Sequence, residues 1–284
     1  SYYENSELFK EENTVHLHNP LSNELNSMRQ NLLYGGLEAV AYNQNRRVYD
    51  IKLYEFGNCY SKKAKGADDD LSIFHEEKQL ALFLTGNRHP ANWIFPEQGT
   101  SFYELKTYIE NILLRIGYNL EDIKIEEVQN KVFREGLSYR FNNKLFGEFG
   151  ILRKQLLNAF DLSTEIYYGH LFWDNIIDQV SGRDISFRPL PKYPEVRRDL
   201  ALLLDESVRF QQIVDLARKT EKNILKIINL FDVYQGEKIE EGKKSYAVSF
   251  ILQDETKTLT DKRIDKIMNN LVEAFQKNLN ASIR

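Results

Sequence analysis

The chain has 284 residues, 42% hydrophobic and 28% charged, which is ordinary for a globular protein with about two domains. No apolar run approaches the roughly 18 residues of a membrane-spanning helix, so we predict no membrane contact. The single cysteine, Cys59, excludes an intramolecular disulfide and a cysteine-rich metal site, and it fits a reducing compartment.

The N-terminus carries no targeting signal that we can identify. The chain begins with Ser1 rather than Met, and no basic segment followed by an apolar stretch comes after it. We therefore expect no signal peptide, and we expect the chain to be part of a longer protein.

Charge is distributed unevenly along the chain. Residues 1–186 carry a net charge of −7, whereas residues 187–284 hold 18 Lys and Arg against 15 Asp and Glu, a balance of +3. A balance of +3 permits nucleic-acid binding but does not by itself indicate it.

The first part of the chain predicts many short strands and few helices. A helix is predicted over residues 101–116, with a capping box from Ser101 to Glu104 and a stop at Gly117. The pair Asn142-Asn143 predicts a hairpin turn. The other predicted helices cover residues 31–43 and 173–180, and the predicted strands cover 50–56, 79–85, 123–128, 137–141, 144–149 and 164–171. This order favours an antiparallel α+β domain.

A domain boundary is predicted where polar and proline residues concentrate. Residues 181–184 read Ser-Gly-Arg-Asp, and three prolines follow within ten residues, at Pro189, Pro191 and Pro194. We therefore divide the chain into domains of residues 1–181 and 182–284.

The second domain shows the clearest pattern. Strands are predicted over 200–204, 224–234, 244–253 and 281–284, and helices over 207–220, capped by Ser207, and over 261–279. The order β-α-β-β-α-β is that of the ferredoxin-like split β-α-β fold, in which both helices cover one face of the sheet.

Alternation along the strands assigns residues to the covered and the uncovered face. The residues predicted to face the helices are Leu200, Leu202, Leu204, Phe231, Val233, Tyr246, Val248, Phe250 and Leu252. The residues predicted to face outward are Asp199, Ala201, Leu203, Asp232, Tyr234, Ser245, Ala247, Ser249 and Ile251.

The outward set has the chemistry that an unpaired RNA base requires. Tyr234 offers a stacking surface, and Asp232 offers an acceptor for amino or imino protons. Small side chains leave room for close approach, and four nearby cations are candidates for phosphate contacts: Arg197, Arg198, Lys243 and Lys244. The residues alone also fit an ordinary solvated sheet face, because ferredoxin-like folds serve many functions.

Four sequence blocks in the second domain carry a resemblance to a known family. These blocks are KYPEVRRDLA (192–201), LFDVYQG (230–236), GKKSYA (242–247) and TLTD (258–261). In this order and spacing they resemble the C-terminal anticodon-binding domain of the phenylalanyl-tRNA synthetase beta subunit. The resemblance implies base contacts at Ala201, Asp232, Tyr234 and Ser245, and we add Arg198 and Lys244 as RNA-binding candidates. Tyr246 stands where the family usually has leucine.

The first domain resembles the catalytic-like module of the same subunit. The blocks NPLS (19–22), SMRQNLL (27–33) and YEFG (54–57) carry this resemblance, which thins between residues 88 and 171. It implies a class II synthetase-like antiparallel sheet. Class II chemistry uses arginines to hold ATP, but the segments 58–61 and 167–173 contain none. We expect a non-catalytic module, and we interpret Arg29 as structural.

The resemblance further implies the partners of the chain. They are phenylalanine tRNA, the catalytic alpha subunit and a second beta subunit, in a cytoplasmic enzyme that attaches phenylalanine to tRNA with ATP and Mg²⁺. No cofactor is expected in this chain itself.

Other functions stay open as alternatives. One is a pure protein-interaction module with little RNA contact. Another is a hydrolase, which would need an acid cluster in a pocket. The pair His16 and His18 lacks further ligands nearby in sequence, so we predict no metal site.

Overall fold

The computed structural model describes residues 8–22, 26–63, 71–90, 92–180, 191–236 and 239–283. The chain divides into two compact units, Ser1–Asp184 and Ile185–Arg284. The predicted boundary after residue 181 lies outside the described residues. Within the described part of the chain, no helix is both long enough and apolar enough to cross a membrane.

The first unit combines helices with antiparallel strands. Its helices are α1 (Leu33–Gln44), α2 (Phe102–Ile116), α3 (Lys154–Asn158) and α4 (Trp173–Val180), with short 3-10 turns at Glu11–Asn13, Leu71–Ile73 and Leu120–Asp122. Its strands are β1 (Ile51–Lys62), β2 (Phe74–Thr85), β3 (Asn87–His89), β4 (Gln98–Gly99), β5 (Lys124–Val128), β6 (Phe133–Phe141), β7 (Lys144–Leu152) and β8 (Tyr167–Phe172).

Six of these strands form one antiparallel sheet in the order β1-β2-β8-β7-β6-β5, and β3 pairs with β4 separately. Alternate residues of β2 belong to two different hydrophobic cores. Phe83 packs with Leu37 of α1, whereas Leu82 packs with Ile109 of α2. Because neighbouring residues of a strand point to opposite faces, the sheet is covered on both sides in this region.

Helix α2 ends as predicted but begins differently. Gly117 closes it with a φ of 104°, which a glycine adopts at little cost. The predicted capping box is wrong, because the Ser101 side chain makes no capping hydrogen bond. Glu104 instead accepts hydrogen bonds from Lys52 Nζ at 2.7 Å and from Tyr108 Oη at 2.8 Å. Because the carboxylate forms an ion pair with Lys52 of β1, it does not cap the helix.

The hairpin between β6 and β7 follows its sequence signal. Asn142 and Asn143 have φ values of 48° and 63°, the pattern of a type I′ turn, and asparagine tolerates this conformation better than most residues do. Gly147 and Gly150 lie within β7.

The second unit contains β9 (Val196–Asp205), α5 (Phe210–Thr220), β10 (Leu225–Tyr234), β11 (Lys243–Leu252), α6 (Asp261–Leu279) and β12 (Ser282–Ile283). The strands form an antiparallel sheet in the order β10-β11-β9-β12. The predicted cap at Ser207 is wrong. Arg209 occupies the N-cap position, and the Gln212 side chain accepts a hydrogen bond from its backbone N–H at 2.8 Å.

The core of this unit lies between the sheet and its two helices. Ile213 of α5 and Leu271 of α6 are fully buried there, together with Leu202, Val248 and Phe250 of the sheet. Both helices therefore pack on one face of the sheet, as the order of the elements predicted. We call the opposite face, which carries Ala201, Asp232, Tyr234 and Ser245, the open face.

Candidate nucleic-acid interface

The strand register brings the four predicted base-contacting residues into two adjacent rows. Asp232 lies opposite Ala247, which lies opposite Ala201. In the next row, Tyr234 lies opposite Ser245, which lies opposite Leu203. Directly paired residues point to the same face of an antiparallel sheet, so all four predicted residues share the open face.

Within both rows, the residue on β10 is more exposed than its partners on β11 and β9. Tyr234 is 38% exposed and Asp232 is exposed, both at the end of β10. Ser245 is buried and Ala201 is half-buried, because their short side chains lie below the level of their neighbours. The result is a shallow floor of small residues beside an aromatic ring and a carboxylate. A flat, polar-edged group such as a base fits this arrangement.

Of the four candidate cations, Arg198 and Lys244, which we had added as RNA-binding residues, lie on the other face. Lys244 pairs with Leu204 and is buried, with its Nζ 4.7 Å from the centroid of the Tyr246 ring. Arg198 pairs with Phe250 of the core, and its Nη2 lies 3.8 Å from Asp261 Oδ1. The structure does not bring these cations to the open face, because each is one residue out of phase with it.

Their sequence neighbours, Arg197 and Lys243, point to the open face instead. Arg197 donates to Asp199 through Nε at 2.8 Å and Nη2 at 3.1 Å. Lys243 Nζ lies 2.7 Å from Glu240 Oε2. The hydrogen bonds to these carboxylates raise the pKa of both basic groups, so both stay charged. Strict alternation, applied to all four candidate cations, would have separated Arg197 and Lys243 from Arg198 and Lys244.

Phe231 also lies on the open face, so the prediction that it faces the helices is wrong. The register between β10 and β11 shifts between Leu230 and Asp232, which is the mark of a β-bulge. Phe231 is 50% exposed, and the Arg197 guanidinium carbon lies 5.3 Å from its ring centroid. Sequence alternation cannot reveal a bulge, since the extra residue resets the phase of the strand.

The first unit has an apolar cleft of about 650 Å³ beside β1. Exposed Tyr54 and Phe56 line it together with Trp173 of α4, and its charged lining residues are Lys52 and Arg115. None of the described residues that line the cleft carries a carboxylate, so they do not supply the acid cluster that a hydrolase would need. Among the described residues, no group of three or more His, Cys, Asp or Glu is placed to hold a metal ion.

Arg29 lies across strand β1 and is held by the strand itself. Its Nε donates to the backbone oxygen of Asn58 at 2.9 Å, and its Nη1 contacts Glu55 Oε1. The guanidinium covers Gly57, where a Cβ would lie 2.0 Å from Nη2. A side chain at residue 57 would therefore displace Arg29, which indicates a packing arrangement built around the glycine.

Comparison with known families covers most of the chain. Residues 2–173 match the family described as the phenylalanyl tRNA synthetase beta chain CLM domain. Residues 191–284 match the ferredoxin-fold anticodon binding domain family.

Curated relatives match over nearly the whole chain. The phenylalanine--tRNA ligase beta subunit of Bacteroides thetaiotaomicron is 46% identical over 100% of this chain and 35% of that protein. The corresponding subunit of Fusobacterium nucleatum is 32% identical over 95% of this chain and 33% of that protein. The chain thus spans about a third of the length of these relatives. Among solved structures, a pyrrolysyl tRNA synthetase from Desulfitobacterium hafniense is 14% identical, with a TM-score of 0.42 over 60% of this chain and 54% of that one.

Proposed function

Because the chain belongs to the phenylalanyl-tRNA synthetase beta-chain family, we propose that the open face of its second unit binds the anticodon of phenylalanine tRNA. The observation that carries this proposal is the strand register, which sets Tyr234 and Asp232 beside the small residues Ser245, Ala247 and Ala201 on one face. The rows lie within residues 191–284, the part that matches an anticodon-binding domain.

Each residue has a distinct role in this proposal. The Tyr234 ring stacks on one base, a contact that stabilises single-stranded RNA binding by about 1–3 kcal/mol per base. The exposed Asp232 carboxylate accepts a hydrogen bond from an amino or imino group of that base. Ser245 and Ala201 leave space for the base to lie close to the sheet. The strand order β12-β9-β11-β10, with all neighbours antiparallel, supports a ferredoxin-like topology for the unit.

The first unit serves, in our proposal, as a non-catalytic scaffold with a class II synthetase-like fold. The cationic groups that would hold a triphosphate are not available along the strands that resemble the ATP-binding motifs. Segments 58–61 and 167–173 contain no arginine, and Arg29 is engaged by Glu55 and Asn58. ATP and Mg²⁺ then act in the alpha subunit, which together with a second beta subunit would complete a cytoplasmic enzyme.

A binding titration tests the RNA proposal. Fluorescently labelled phenylalanine tRNA is titrated with the full chain and with Tyr234→Ala and Asp232→Asn, and anisotropy reports the dissociation constant. We expect about fivefold weaker binding or more for Tyr234→Ala. Tyr103→Ala is the matched control, because Tyr103 is 76% exposed on α2 in the first unit.

The result also separates the proposal from the interaction-module alternative, which the exposed apolar cleft beside β1 favours. Unchanged affinity in both open-face variants, combined with co-purification of the chain with the alpha subunit, would favour that alternative. Weaker binding in both variants and not in the control supports the RNA proposal.

A further inference from the structure

A β-bulge gives the open face a second aromatic ring. Leu230 lies opposite Val248 and Asp232 lies opposite Ala247, so Phe231 has no directly paired residue on β11. Because of this extra residue, Asp232 and Tyr234 point to the open face, and Phe231 reaches the same face. Phe231 is 50% exposed, a large fraction for an aromatic side chain within a sheet.

The side chain of Arg197 contacts the ring of Phe231. The guanidinium carbon of Arg197 lies 5.3 Å from the ring centroid, within the range of a cation–π contact. Arg197 is on β9 and Phe231 is on β10, so this contact passes over the intervening strand β11. Two hydrogen bonds that the guanidinium donates to the Asp199 carboxylate fix its position. Beneath the contact, Ser249 pairs with both Asp199 and Asn229 and is 3% exposed.

The second group resembles the first in placing an aromatic ring near a charged side chain. Tyr234 lies opposite buried Ser245 and two residues from Asp232, whereas Phe231 lies beside Arg197. Phe231 and Tyr234 are three residues apart on β10, about 10 Å at the rise of a strand. Two rings that hold one base between them lie about 7 Å apart, twice the roughly 3.4 Å spacing of stacked bases. The two rings are therefore better placed to hold two different bases.

We propose that Phe231 and Arg197 form a second base-stacking site, which holds a nucleotide different from the one on Tyr234. This inference rests on the proposed function, since it assumes that single-stranded RNA occupies the open face. Phe231 covers the apolar face of the second base. Arg197 donates to the base edge or to a phosphate next to it.

The chemistry of the site favours RNA over a protein segment. A docked peptide requires a continuous apolar patch, but Phe231 is bordered on the open face by the charged groups of Arg197, Asp199 and Asp232 and by the amide of Asn229. A base combines a flat apolar face with a polar edge, which matches a ring surrounded by donors and acceptors. The site is also continuous with the first one through Asp232.

Variants of the full chain test this site against phenylalanine-tRNA anticodon stem-loop RNA by anisotropy. We expect Phe231→Leu to weaken binding about fivefold or more and Phe231→Tyr to retain it, because only the aromatic face is needed. Val233→Ala is the matched control. Val233 is 49% exposed on the same strand, but it pairs with buried Tyr246 on the other face. Equal thermal melting of all variants confirms that they fold.

Photo-crosslinking locates the nucleotides. 5-Iodouridine is placed singly at each position of the loop, and mass spectrometry identifies the crosslinked residue. Crosslinks to Phe231 and Tyr234 from different loop positions support the proposal, whereas crosslinks to both from the same position would overturn it.

The failures of the two proposals are distinguishable. If Tyr234→Ala weakens binding but Phe231→Leu does not, the second site is absent and the proposed function stands. If neither variant weakens binding, both proposals are wrong.

Discussion

The ring of Tyr234 lies against the backbone of Gly236. A Cβ atom at residue 236 would lie 2.9 Å from Tyr234 Oη and 3.1 Å from Cζ. Gly236 does not have the positive φ that would by itself require a glycine, so the contact with the ring explains its absence of a side chain. Gly236 thus sets the position that the stacking ring occupies.

We therefore predict that Gly236→Ala weakens RNA binding by displacing the Tyr234 ring. The loss of binding free energy should be about 0.5–1 kcal/mol, smaller than the loss caused by Tyr234→Ala, because the ring is displaced and not removed. Anisotropy with phenylalanine tRNA measures it. Gly99→Ala serves as the control, because nothing lies within 4 Å of a Cβ there. Equal affinities for both alanine variants would contradict the positioning role.

Alanine substitutions at two adjacent glycines of α1 should have opposite effects on the stability of the first unit. Nothing lies within 4 Å of a Cβ at Gly35, so Gly35→Ala should stabilise the first unit by about 0.5–1 kcal/mol through higher helix propensity. At Gly36 a Cβ would lie 2.0 Å from Cζ of buried Phe83, so Gly36→Ala should destabilise the unit by about 1–3 kcal/mol. Thermal melting of the two variants checks the signs. A shift in the same direction for both would contradict the packing of α1 on β2.

His170 should make stability depend on pH. Burial lowers its pKa to about 4 from an ordinary value of 6.5, and among the described residues its Nδ1 has no hydrogen-bond partner. The unfolded chain binds a proton below about pH 6.5, whereas the folded chain does not until about pH 4. This group therefore contributes stability above pH 6.5 that is lost as the pH falls towards 4.

The measurement compares melting temperatures between pH 7 and pH 4. His170→Phe keeps a ring that stacks on Tyr168 and meets Phe172 edge to face, and it should flatten the acid loss of stability relative to the wild type. His89→Phe, at an exposed position on β3, is the control. Parallel curves for the wild type and His170→Phe would show that His170 is not the group responsible.

The chain alone should not activate phenylalanine. ATP–pyrophosphate exchange measures this step, and we expect no exchange above background when ATP, Mg²⁺ and phenylalanine are supplied. Addition of the catalytic alpha subunit as part of the assembled enzyme provides the positive control. Exchange by the isolated chain, lost on substitution of Arg29, would contradict the scaffold assignment.

The helices were the most predictable part of the fold. Helices α4 and α6 begin and end at the predicted residues, 173–180 and 261–279, because apolar residues recur along them at helical spacing. Strands β1 and β2 extend well beyond their predicted apolar cores. Among the added residues, Asn58 lies opposite Lys78, Tyr60 lies opposite Glu76, and the Asn58 side chain donates a hydrogen bond to Glu76. Pairing of this kind depends on the partner strand and leaves no apolar pattern.

The candidate site was predictable to the extent that a strand keeps its phase. Alternation placed Ala201, Asp232, Tyr234 and Ser245 on one face, and the register places them there. It failed at Phe231, where the bulge resets the phase. The choice of Arg198 and Lys244 followed closeness in sequence instead of alternation, and the register puts both with the core.

The central claim is that the open face recognises the anticodon. The most direct test titrates the full chain with the anticodon stem-loop of phenylalanine tRNA and with the same stem-loop carrying a different anticodon. Recognition by Asp232 and Tyr234 predicts tighter binding of the native anticodon, with the preference lost in Asp232→Asn. Equal affinity for the two stem-loops would contradict the claim.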